Sequence, residues 1–128
     1  MVAFAAGSMM LMGIGILVVW TGDIVRGDKV DRSRGLFRAR ENDDGSLLWP
    51  HWVAEYTTAL LLIAAGVGLL ADTGWAATVS ALALGALFYT SVNSLGWALA
   101  TRERHAYAVP MIIGLVVSVV FGIWLIGR

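Results

Sequence analysis

Charged residues are few along this chain and they are bunched, so the apolar runs between them are long. A helix needs roughly 20 apolar residues to cross a hydrocarbon core of about 30 Å. Four stretches meet that length: about Val2 to Trp20, His51 to Ala71, Trp75 to Ala100 and Tyr107 to Gly127. Only helices and closed barrels satisfy their backbone hydrogen bonds inside lipid, and runs of this length and continuity predict helices. The chain is therefore expected to be an all-α integral membrane protein, a single domain of four transmembrane helices. The first run lacks a basic leading segment and a clear small-residue cleavage site before Asp23, so it reads as a retained span.

Connections between the runs constrain their arrangement. Asp72, Thr73 and Gly74 alone join spans two and three, and Thr101 to His105 joins three and four. Such short turns make consecutive helices antiparallel neighbours, and spans two to four are expected to form a tight antiparallel unit. Span one is tethered through a longer loop, about residues 21–50. That loop mixes Arg26, Lys29, Arg32, Arg34, Arg38 and Arg40 with Asp23, Asp28, Asp31, Glu41, Asp43 and Asp44. A short interfacial helix around Asp31 to Glu41 is one reading of its middle, and a solvated loop is the other.

Composition reinforces the membrane assignment. With 59% apolar residues and a mean hydropathy of +0.77, 128 residues cannot hide their apolar surface in a water-soluble core. Short loops rich in Lys and Arg stay on the cytoplasmic side. Six of the nine bases lie in the first loop, and Arg102 and Arg104 lie in the last turn, which leaves only Arg128 elsewhere. Both termini are thus expected outside, with loops 21–50 and 101–105 cytoplasmic, in a membrane of the bacterial inner or plasma type. A net charge of zero argues against nucleic acid as a partner, and the absence of cysteine removes disulfides, thiolate metal sites and thiol nucleophiles.

Lipid provides little hydrophobic gain when helices associate, so small residues that let backbones approach mark the contacts. Ala77, Ala81 and Gly85 recur at four-residue spacing on span three, as do Gly114, Ser118 and Gly122 on span four; span one offers Gly7, Ser8, Gly13 and Gly15. These rows are expected to face the bundle interior, with a dimer face as the alternative.

The candidate chemistry gathers towards one leaflet. The row on span three runs on through Tyr89, Asn93 and Trp97. His51 and Glu55 are four apart on span two, and His105 begins span four at the same level. Glu55 is the one acid or base inside a span, where a carboxylate costs a few kcal/mol unless it is paired, hydrated or protonated. It serves either as an anchor near the helix start or as part of a ligand, proton or partner site. Asn93, a lone amide, suits a hydrogen bond to a neighbouring helix.

Three roles follow. The first is a non-enzymatic accessory subunit that binds another membrane protein or a second copy of itself. The second is a small dimeric transporter or channel, with His51, Glu55, Asn93 and His105 lining a cytoplasmic-side vestibule and Glu55 carrying protons. The third is a metal or haem protein using His51, Glu55 and His105. Phosphate loops, HExxH and nucleophile elbows are missing from the sequence. No enzymatic activity and no cofactor are expected, and the accessory role leads.

Overall fold

The computed structural model describes residues 1–27, 49–100 and 108–127. They form four helices: α1 (Val2–Gly27), α2 (Trp49–Leu70), α3 (Ala76–Ala100) and α4 (Ala108–Ile126). Each is long and apolar enough to cross a membrane. Even α4, the shortest at 19 residues, reaches about 28 Å at 1.5 Å per residue.

One boundary moves. α1 continues through Thr21 to Gly27, so the first quarter of the expected 21–50 loop is helical. The end of an apolar run shows where hydrocarbon would stop, whereas helical hydrogen bonding ends only where the backbone does. At the other boundaries the helices begin and end within about two residues of the expected spans. Pro50 and Pro110 both fall in a first turn, where a missing N–H removes no helical bond. The proposed interfacial helix at 31–41 lies outside the described residues.

α2 ends in a glycine-free version of the Schellman cap. Asp72 takes the left-handed conformation with φ of 49°, and the Thr73 N–H donates to the Gly68 carbonyl at 3.1 Å. Aspartate is one of the few residues that enter this region at modest cost. The turn folds Trp75 back over Gly68, where a built Cβ would meet the indole at 2.5 Å.

Among the described residues the helices follow one another in space as in sequence. α1 packs on α2, α2 on α3 and α3 on α4; α2 and α4 do not touch, and α1 meets α4 only marginally. That last contact includes Phe4 and Phe121, edge to face with centroids 5.9 Å apart. The expectation of a tight unit of spans two to four is corrected accordingly. Short turns force each helix beside its neighbour, but they do not bring the outer two of a trio together. The most extensive interface is instead α1 with α2. Glycine explains the closeness: a Cβ on Gly13 would lie 2.7 Å from the Ala59 carbonyl oxygen, and one on Gly66 would lie 2.7 Å from that of Ala6.

The interior face of α3 also differs from expectation. Ala77, Ala81 and Gly85 are exposed, and nothing lies within 4 Å of a Cβ built on Gly85. Buried instead are Ala76, Ser80, Ala83, Leu87, Thr90 and Ser94, in alternating steps of four and three. That alternation keeps to one seam, whereas each four-residue step turns about 40° around a helix of 3.6 residues per turn. On α4, Gly114 and Ser118 are buried, with Gly114 against Leu87 and Ser91 of α3. Gly122 is only half-buried, and nothing lies within 4 Å of a Cβ built there; Phe121 takes the buried position beside it.

Candidate functional site

Several described polar side chains meet at one place, where the end of α1 and the beginning of α2 meet the last third of α3. Glu55 is at its centre, 2% exposed. From α3, the Ser94 hydroxyl donates to Glu55 Oε1 at 3.2 Å. From α1, the Trp20 indole N–H donates to the same carboxyl group. On α2 itself, His51 Nε2 is 3.6 Å from Oε1, an ion-pair spacing one helical turn away. The edge-to-face packing of Trp20 and His51, with centroids 5.1 Å apart, closes the group. Beside it, Thr21 and Tyr56 join their hydroxyls at 2.8 Å, so α1 and α2 are tied twice at this end.

Each position follows from local sequence. His51 and Glu55 share a helix face through their four-residue spacing. Ser94 belongs to the buried four-three seam of α3, which carries it inward. Trp20 is the last residue of the apolar run of α1, and it is 3% exposed. The close approach at Gly13 and Gly66 brings α1 near enough for the indole to reach α2.

A carboxylate taken out of water needs several donors to offset its lost hydration, and here they come from three helices. The junction therefore fastens α1, α2 and α3 together. No set of three or more His, Cys, Asp or Glu side chains suited to a metal ion occurs among the described residues. The expected His51, Glu55 and His105 ligand set depends on His105, which lies outside them.

The match to known proteins covers this whole arrangement. A family model described as "Domain of unknown function (DUF8058)" aligns with residues 2–128. The chain belongs to the DUF8058 family. No curated protein and no solved structure matches it.

Within this DUF8058 chain the sequence-predicted candidates separate into two groups. His51 and Glu55 come together. Tyr89 and Asn93 do not join them: both are exposed on the outer side of α3, Tyr89 at 67%. Asn93, expected to line a vestibule with Glu55 in a dimer, neighbours Ser94 in sequence but is turned about 100° away from it on the helix and is exposed. Trp97's side chain lies outside what the structure describes, as does His105. Ser94 and Trp20 were the partners missed as site residues. The signal for Ser94 was its place in the four-three seam, and for Trp20 its depth matched to His51 across an antiparallel pair.

Proposed function

We propose that this protein is a non-enzymatic subunit of a membrane assembly, crossing the bilayer four times and binding a partner helix through the outer face of α3. The observation that carries this reading is Asn93. It is exposed on the flank of a helix that otherwise presents apolar and small residues. An amide facing hydrocarbon without a partner costs several kcal/mol, about 2–7 depending on the reference medium, and a neighbouring helix is the usual remedy. Gly85, two turns earlier and also exposed, lies on the outward side of the same helix, where the lack of a side chain would let a partner backbone come close. The concentration of Lys and Arg in loops 21–50 and 101–105 supports an orientation with both termini outside, in a bacterial inner or plasma type of membrane.

The partner is either another membrane protein or a second copy of this chain. Purification from native membranes in mild detergent, followed by mass spectrometry, identifies it. A Gly85→Leu or Asn93→Leu variant is expected to lose that partner while melting like the wild type, since neither position packs within the chain's own bundle. Recovery of the wild-type protein as a lone monomer, with no stoichiometric companion, would sink the proposal.

A further inference from the structure

The Glu55 junction has a property that a purely apolar contact between the same helices would lack. α1 and α3 do not pack on one another among the described residues. Both nonetheless hold the same carboxyl group of α2, α1 through Trp20 and α3 through Ser94. What Glu55 can accept therefore decides whether three helix ends stay gathered.

Consider the protons of the Glu55 and His51 pair. Among the described side chains these are the two titratable groups facing each other here. Trp20 from α1 and Ser94 from α3 do not titrate, Tyr56 is engaged by Thr21, Tyr89 is on the outer side of α3, and α4 does not reach α2. With one proton in the pair, all requirements are met. If the proton is on His51, an imidazolium stands 3.6 Å from a carboxylate that accepts from Trp20 and Ser94. If it is on Glu55, the acid O–H on Oε1 is directed to the neutral Nε2, Oε1 keeps a lone pair for the Ser94 hydroxyl, and Oε2 remains an acceptor.

A second proton cannot be accommodated in the same geometry. The acid O–H then needs an acceptor, and His51 as imidazolium offers none. Trp20 is a donor only. The Ser94 hydroxyl alone can accept, and to serve it must be reoriented towards that O–H. The imidazolium meanwhile loses its countercharge in a buried place. Opening the junction to water relieves both problems, so the open form binds more protons than the closed one, and acidification favours opening.

We propose that the Glu55, His51, Trp20 and Ser94 junction is a proton-operated latch, closed with one shared proton and opened by a second, which releases the ends of α1 and α3 from α2. The proposal is independent of the partner face on α3.

The chain has no cysteine, so labelling can be made specific. Val25 on α1 and Leu99 on α3 are exposed at this end. Spin labels on Val25→Cys and Leu99→Cys in the full chain, reconstituted in lipid nanodiscs, report the α1 to α3 distance by pulsed electron resonance. Between about pH 8 and about pH 5, a window spanning ordinary imidazole titration, the main distance is expected to shift to longer values reversibly. Adding Glu55→Gln together with His51→Gln, which removes both proton sites of the pair, should leave the distance independent of pH. A wild-type distance that does not move with pH overturns the latch, and so does a doubly substituted protein that moves as the wild type does. If the double variant does not fold, Ser94→Ala decides. That variant keeps the carboxyl group but frees α3, and it should show the long distance at both pH values, whereas a wild-type response in it also overturns the proposal.

Discussion

Glu55 is stabilised by specific donors rather than by hydration, which makes it sensitive to single-atom changes in its neighbours. Trp20→Phe leaves an aromatic, though smaller, ring to pack against His51 and removes the N–H that reaches the carboxyl group. A buried group deprived of one hydrogen-bond partner costs about 1–3 kcal/mol. Trp20→Phe is accordingly expected to lower the stability of the detergent-solubilised protein by an amount of that order. A larger apolar side chain in place of Thr21, next in sequence, should act more weakly, because the Thr21 and Tyr56 bond is exposed. Equal melting temperatures for wild type and Trp20→Phe would mean that the indole bond is energetically idle.

Among the elements, the α1 and α2 pair depends most on backbone proximity. Overpacking a close contact usually costs about 1–3 kcal/mol. Gly66→Ala and Gly13→Ala should each fall in that range, because the added methyl meets a carbonyl oxygen at 2.7 Å in both cases. Gly15→Ala on the same helix has open space and is the control; it should be neutral or slightly stabilising through helix propensity. Thermal unfolding of the three variants side by side measures the difference. If Gly66→Ala matched Gly15→Ala, the two helices would have to be farther apart than they are here. α3 presents the opposite case, since its small residues Ala77, Ala81 and Gly85 face outward and do not hold its own bundle together.

At the scale of the molecule, the proposed orientation puts the Glu55 junction towards the same side as the charged loops. A membrane-impermeant thiol reagent tests this on the cysteine-free background. Gly127→Cys should react in intact cells, and Ser46→Cys only after the membrane is permeabilised; the reverse pattern would invert the topology and place the latch on the other side. The number of helices and their approximate limits were legible in the sequence, because apolar length is a one-dimensional property and lipid solvation demands it. The antiparallel order of neighbours was legible too, through the brevity of the Asp72 to Gly74 turn. The pairing of Glu55 with His51 followed from their four-residue spacing. What the sequence by itself could not decide was which side of each helix faces inward. α3 carries small and uncharged residues around its whole circumference, so hydropathy does not distinguish the buried seam of Ser80, Leu87 and Ser94 from the outer row of Ala81, Gly85 and Asn93. Only packing against α2 and α4 breaks that degeneracy. The tertiary structure likewise decided that Trp20 and Ser94 complete the site, since their bonds to Glu55 join residues 35 and 39 positions apart, and contacts at that separation depend on how closely the glycines let the helices approach.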